Sequence, residues 1–86
     1  MDIRRVLGEN VKYYRVAAGL SQEELAARMG VDQGYVSSLE IGKRNPTVVT
    51  LWHAAIALNV APAMLLDSRV AGTKQKAKRV KGPKRG

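Results

Sequence analysis

A short segment of the chain carries polar but uncharged side chains at neighbouring helical positions. Gln33, Ser37 and Ser38 fall on one side of a helix that would begin after Asp32, and Gly34 beside them has no side chain. Amide and hydroxyl groups can both donate and accept hydrogen bonds, and the DNA major groove admits one α-helix with such groups facing the base edges. These residues therefore predict recognition by hydrogen bonding.

Catalytic and metal chemistry have little support in the same sequence. The chain has one histidine, His53, no cysteine, and no pair of carboxylates spaced for a plausible cleft. No credible nucleophile or metal site follows from these residues, so we predict a non-enzyme without metal or cofactor.

The chain of 86 residues allows one small domain, without a separate domain for a small-molecule ligand. Its apolar runs are too short to span a membrane, and charges flank the short apolar pair near its start, which excludes a secretory signal. We expect a cytoplasmic protein that does not associate with membranes.

Five helical segments follow from apolar periodicity and capping signals. Apolar residues recur every three or four positions between residues 2 and 18. Ser21 and Glu24 have the spacing of a capping box, Thr47 is a typical N-cap residue, and Pro62 suits the first turn of a short last helix. No segment alternates with period two long enough to predict a strand, so the expected fold class is all-α.

The second and third helices are joined by a turn that leaves no room for a loop. Ala26 would face the crossing point of the two helices, where a larger side chain would separate them. Gly30 takes the turn, and Val36 and Leu39 face the body of the domain. With those residues inward, Gln33 and its polar neighbours point outward.

This spacing resembles the Cro/cI-type helix-turn-helix family of phage repressors and bacterial regulators. The resemblance covers roughly residues 7–66 and rests on "LGENV", on "GLSQEELAARMGV", on "SLEIGKRNPT" and on "ALNV". It implies a compact five-helix domain like that of lambda repressor, with the third helix as the recognition helix. It also implies binding to pseudo-palindromic double-stranded DNA as a homodimer.

The resemblance assigns roles to residues at the start of the recognition helix. Gln33 matches the amide expected to contact adenine, or a neighbouring guanine, through two hydrogen bonds. Asp32, Gly34, Ser37 and Ser38 match further groove-facing positions. Gly34 has no side chain with which to contact a base, and Asp32 repels phosphate although it can accept from a cytosine amine.

A second group of matched positions implies contacts to the DNA backbone and one structural ion pair. The backbone positions are held by Gln22, Lys43, Arg44 and Asn45. Tyr35 could stack on a sugar or a methyl group, with a half-buried packing role as the alternative. Arg15 and Glu40 match a buried ion pair that joins the first helix to the end of the third.

The net charge of +8 is concentrated at one end of the chain. Residues 1–68 hold seven Lys/Arg and seven Asp/Glu, whereas residues 69–86 hold eight Lys/Arg and no acid. We therefore divide the chain into a DNA-binding domain, 1–68, and a basic tail, 69–86, expected to be disordered in isolation. The tail is predicted to bind phosphates non-specifically, with a solubilising arm as the alternative.

The fourth helix carries two apolar stripes. Val48, Leu51, Ala55 and Leu58 are expected to face inward. A second stripe on another side needs a second cover. We predict a homodimer interface on this stripe and the fifth helix, formed by Val49, Trp52, Ile56, Met64 and Leu65. The alternative is that Trp52 packs on the end of its own chain.

Two functions from different classes remain at this point. The first is a sequence-specific transcriptional regulator, such as a Cro-like repressor, a restriction–modification controller or an antitoxin. The second is a protein-interaction module in which DNA binding is secondary.

Overall fold

The computed structural model describes residues 2–68, which form five α-helices. These are α1 (Ile3–Ala17), α2 (Gln22–Met29), α3 (Gln33–Glu40), α4 (Val48–Leu58) and α5 (Pro62–Leu65). No strand occurs within that range, and the predicted all-α five-helix fold is confirmed. The predicted basic tail, 69–86, lies outside the described residues.

Side chains before the first turns of α1 and α2 satisfy free backbone N–H groups. Asp2 accepts from the Arg4 N–H at 3.0 Å, and hydrogen bonds from the Arg4 side chain and backbone lower the pKa of Asp2. Ser21 and Glu24 form the predicted capping box. The backbone N–H of Ser21 lowers the pKa of Glu24, so the stability that this carboxylate adds is present above its ordinary pKa and lost as pH falls.

The turn between α2 and α3 contains three residues and depends on a left-handed glycine. Gly30 has φ 76°, a region that costs glycine nothing but strains other residues. The Val31 N–H then donates to the Ala26 carbonyl at 3.0 Å. Asp32 begins α3 by accepting from the Tyr35 N–H at 2.8 Å.

The core joins all five helices around fully buried aliphatic side chains. Its members are Leu7, Val11, Leu25, Ala26, Met29, Val36, Leu39, Ala54, Ala55, Leu58 and Leu65. The expectation that Val48 faces inward is wrong, because this first residue of α4 is 81 % exposed. The helix packs on α2 through its later turns, where Ala54 takes an inward position.

α1 approaches the end of α3 closely enough that Gly8 has no room for a side chain. A Cβ built on Gly8 would lie 2.7 Å from the carbonyl oxygen of Glu40 and closer still to that of Leu39. Because both neighbours are backbone atoms, they cannot move aside without shifting the helix. Gly8 therefore sets the distance between α1 and α3.

We expect Gly8→Ala to destabilise the domain by about 1–3 kcal/mol, because backbone repulsion outweighs the gain in helix propensity. Gly34→Ala is the matched control, since its Cβ would meet only the Asp32 carboxylate at 3.5 Å. Gly34→Ala should leave the free energy of unfolding unchanged or raise it by up to about 1 kcal/mol. Urea unfolding measures both, and equal stabilities for the two variants would contradict the close approach.

Candidate nucleic-acid interface

The outward position of the start of α3 follows from the packing of its opposite side. Val36 and Leu39 are buried at 0 % and 2 % exposure, and Ala26 at 3 % lets α2 cross α3 closely. Gln33 and Gly34 consequently lie on the exposed side of α3. This arrangement presents the first turn of α3 to solvent.

A chain of hydrogen bonds runs from α1 to the exposed amide of Gln33. Arg15 contacts Glu40 through two bonds, Nε to Oε2 at 2.6 Å and Nη2 to Oε1 at 3.1 Å. Gln22 Nε2 donates to Glu40 Oε1 at 3.0 Å, and Gln33 Nε2 donates to Gln22 Oε1 at 2.7 Å. The amide of Gln33 is thus held in place through three side chains on α1, α2 and α3.

Gln33 retains hydrogen-bonding capacity for a ligand in this position. An amide nitrogen has two hydrogens, and only one of them donates to Gln22. The side-chain oxygen of Gln33, Oε1, accepts no hydrogen bond from any of the described residues. One donor and one acceptor therefore remain side by side, which is the pair that adenine N7 and N6 require.

The hydroxyl of Ser38 forms hydrogen bonds within the protein and does not point freely into solvent. Ser38 Oγ donates towards the carbonyl oxygens of Gly34 at 3.0 Å and Tyr35 at 3.1 Å, and it accepts from Arg44 Nε at 2.9 Å. The Arg44 guanidinium carbon also lies 4.7 Å from the centre of the Tyr35 ring. Ser38 and half-buried Tyr35 together hold Arg44 against α3, while Ser37 is half-buried beside them.

The loop after α3 presents the predicted cations of the DNA backbone contact. Lys43, Arg44 and Asn45 are all exposed, and the Lys43 N–H donates to the Ser38 carbonyl at 3.0 Å. No carboxylate in residues 2–68 forms a salt bridge with Lys43 or Arg44. Their positive charges are therefore available to an anionic ligand.

The predicted dimer residues divide between the surface and the core. Val49, Trp52 and Ile56 form an apolar stripe on α4 at 62 %, 54 % and 62 % exposure, and Met64 is also exposed. The assignment of Leu65 to this surface is wrong, because its side chain is fully buried in the chain's own core. The short α5 packs on α1 through Leu65, which removes that residue from any outer face.

Two residues of α1 that position neighbouring helices have no role in the sequence-based prediction. Gly8 permits the close approach to α3, and Asn10 is fully buried, with Nδ2 donating to the Leu65 carbonyl at 2.8 Å. A polar residue between the buried Leu7 and Val11 was the available signal for a structural role of Asn10.

Residues 2–68 contain no cluster of three or more acidic or histidine side chains arranged to hold a metal ion. None of the helices in this range combines the length and the apolar character that crossing a membrane requires.

Comparison with known proteins shows the family to which the sequence is similar. A family model described as helix-turn-helix matches residues 11–65, which include all of α2 and α3. The chain is 50 % identical over 66 residues to the uncharacterized HTH-type transcriptional regulator y4dJ of Sinorhizobium fredii, covering 77 % of this chain and 86 % of that protein. It is 46 % identical over 66 residues to the control protein C.SmaI of Serratia marcescens, with coverage of 77 % and 79 %.

Solved structures give the same result at the level of the backbone. The restriction-modification controller protein C.AhdI of Aeromonas hydrophila superposes with a TM-score of 0.70 at 39 % identity, covering 72 % of this chain and 94 % of that one. The hypothetical transcription factor NHTF of Neisseria superposes with a TM-score of 0.77 at 39 % identity, covering 87 % and 84 %.

We expect Glu40→Gln to lower the free energy of unfolding by roughly 3 kcal/mol, because it leaves the largely buried Arg15 guanidinium without a counter-charge. Glu9→Gln is the matched control, because the ion pair between Glu9 and the exposed Arg5 is long, at 3.8 Å, and therefore weak. That change should cost less than about 0.5 kcal/mol. Urea unfolding of both variants measures the difference, and equal costs would show that burial adds nothing to the Arg15–Glu40 pair.

Proposed function

Because the chain belongs to the helix-turn-helix family of DNA-binding transcriptional regulators, we propose that it regulates transcription by binding a pseudo-palindromic operator as a homodimer. The third helix, α3, enters the major groove in this proposal. The observation that carries it is the exposed amide of Gln33, held by Gln22 through a 2.7 Å hydrogen bond with a donor and an acceptor left over. We place this activity in the cytoplasm, where the chain would meet DNA.

Base contacts come from the first turn of α3. Gln33 contacts adenine, or a neighbouring guanine, through two hydrogen bonds, and Asp32 and Ser37 lie at adjoining groove-facing positions. Gly34 allows the backbone of α3 to approach the bases closely, since it has no side chain that would hold the helix away from them. Ser38 acts mainly through Arg44, whose Nε donates to it.

Backbone contacts flank α3 on both sides. Gln22 at the start of α2 and the exposed loop residues Lys43, Arg44 and Asn45 supply donors to phosphate oxygens. These contacts set the orientation and register of α3 without specifying a sequence. The basic tail, 69–86, outside the described residues, is proposed to add non-specific attraction to phosphates, since its charge is entirely positive.

The homodimer is proposed to form through the apolar stripe of α4. Val49, Trp52 and Ile56 expose a contiguous apolar surface that a domain of this size rarely leaves in water, and Met64 of α5 extends it. A two-fold axis through this stripe would direct two copies of α3 to successive major grooves, about 34 Å apart.

The names of similar proteins support a proposal about the class of regulator. Several of the similar proteins are control proteins of restriction–modification systems, among them C.SmaI and C.AhdI. We therefore propose a small regulator of the controller type as the first candidate. A protein-interaction module with secondary DNA binding is the second candidate, because the exposed stripe of α4 could bind another protein.

We expect Gln33→Ala to weaken binding to the preferred duplex roughly tenfold to a hundredfold, because the paired hydrogen bonds to one base are lost in each protomer. The preferred duplex is first selected from a random pool. Affinity for a scrambled duplex should stay the same, since phosphate contacts are intact. Val16→Ala, on the exposed side of α1, is the control and should bind like the unmodified chain. If Gln33→Ala leaves the preference unchanged, α3 is not the recognition helix and the interaction module is favoured.

We expect Trp52→Glu to convert the dimer to a monomer, because two charges would be buried across a two-fold interface. Val48→Glu is the control: it adds the same charge to the same helix at an 81 % exposed position outside the stripe. Sedimentation velocity distinguishes monomer from dimer for both variants. A Trp52→Glu dimer as stable as that of the unmodified chain would place the interface elsewhere.

A further inference from the structure

We propose that Arg5 of α1 is a further DNA-backbone contact, which extends the cluster of Lys43 and Arg44 across the loop onto α1. This inference rests on the proposed function, because it names another residue of the same DNA-binding surface. It assigns to the start of α1 a part in phosphate binding in addition to its part in the core.

The start of α1 lies directly against the loop that follows α3. Gly42 has φ 81°, and a Cβ built on it would lie 3.1 Å from Arg5 Cγ and 3.3 Å from Arg5 Cα. A larger residue at position 42 would be strained by the positive φ and would crowd Arg5, so glycine favours this close approach of the loop to α1. Because Lys43 follows Gly42 in the chain, the backbone of Lys43 lies close to Arg5.

The loop in turn lies beside the outer side of α3. Arg44 donates to Ser38 and lies over the ring of Tyr35, and both of these residues belong to α3. Phosphates of a duplex border the major groove on either side of an inserted helix. A row of cations that starts at Arg44, which contacts α3 from the loop, and continues through Lys43 to Arg5 would follow one of these borders.

Charge pairing within the domain leaves positive charge at this place. The acids and bases of residues 1–68 balance in number, but the bases are not equally neutralised. Arg15 is paired with Glu40 at 2.6 Å, and Arg4 with Asp2 at 3.0 Å. These two guanidiniums are therefore occupied within the protein.

Arg5 is far less constrained than its paired counterparts. Its side chain is 73 % exposed, and it forms a long ion pair of 3.8 Å with the half-buried carboxylate of Glu9, one helical turn along. Pairs of this kind contribute little, so a phosphate can replace Glu9 at small cost. The planar guanidinium also offers two parallel N–H donors to phosphate oxygens.

The test measures DNA affinity of the full chain and its variants on the selected duplex at several salt concentrations. Each phosphate contact contributes about 0.9 to the slope of log affinity against log salt, so Arg5→Gln should lower the slope by about 0.9 per protomer, or about 1.8 per dimer. Affinity at about 0.1 M salt should fall roughly threefold to eightfold per lost contact, with base preference unchanged. Arg5→Lys should retain most of the slope, because it keeps the charge.

Two further variants serve as controls. Arg28→Gln removes the same charge near the far end of α4, where Arg28 donates to the Ala57 carbonyl at 3.3 Å, and should leave the slope unchanged. Glu9→Gln removes the acid that competes for Arg5 and should strengthen binding slightly.

The proposal is overturned if Arg5→Gln keeps the slope of the unmodified chain, or if Arg28→Gln lowers the slope equally. It is also overturned if Arg5→Gln changes base preference or the thermal midpoint, because the effect would then be structural. If Gln33→Ala still abolishes preference while Arg5→Gln has no effect, the proposed function stands and this inference alone fails. If the unmodified chain prefers no duplex, the proposed function fails and the inference fails with it.

Discussion

The ion pair between Arg15 and Glu40 is the interaction on which the exposed surface of this domain depends. A carboxylate with only 3 % of its side chain exposed needs a partner, since an unpaired buried charge would cost a large part of the stability of a small domain. Glu40 meets that requirement with hydrogen bonds from Arg15 and from Gln22. Because those partners belong to α1 and α2, one buried charge sets the relative positions of three helices. The hydrogen bond from Gln33 to Gln22 in turn fixes the position of the Gln33 amide.

The acids and bases of the domain differ in how many of them are paired within the protein. Several of the acids form contacts with other parts of the protein: Asp2 and Asp32 cap helices, Glu24 completes the capping box of Ser21, and Glu40 is the buried partner of Arg15. The cations of the loop after α3 have no such partners among residues 2–68. A domain with balanced acids and bases thereby acquires a positive edge beside α3. Such an edge is suited to a polyanion, because attraction to phosphate requires local charge and not a net charge over the whole domain.

The apolar surface of α4 shows the limits of a core of this size. A domain of fewer than 70 residues has room for few large side chains inside, and α4 contributes Ala54, Ala55 and Leu58 to the core. Its other apolar residues remain outside, with Trp52 and Ile56 more than half exposed. The short α5 divides in the same way, with Leu65 inside and Met64 outside. In the proposed homodimer, a second copy of the chain covers these exposed apolar side chains.

The sequence alone determined the five helices and the exposure of Gln33, because capping residues, glycines and apolar spacing are local signals that act within a few positions of each residue. Only the tertiary structure decided which side chains of neighbouring helices contact each other and which remain exposed. It engaged the hydroxyl of Ser38 with Arg44, and it placed Leu65 in the core and Val48 outside. It also made Gly8 the contact point of α1 with α3. The periodicity of one helix indicates which side is apolar, but the partner and the distance depend on residues far away in the chain.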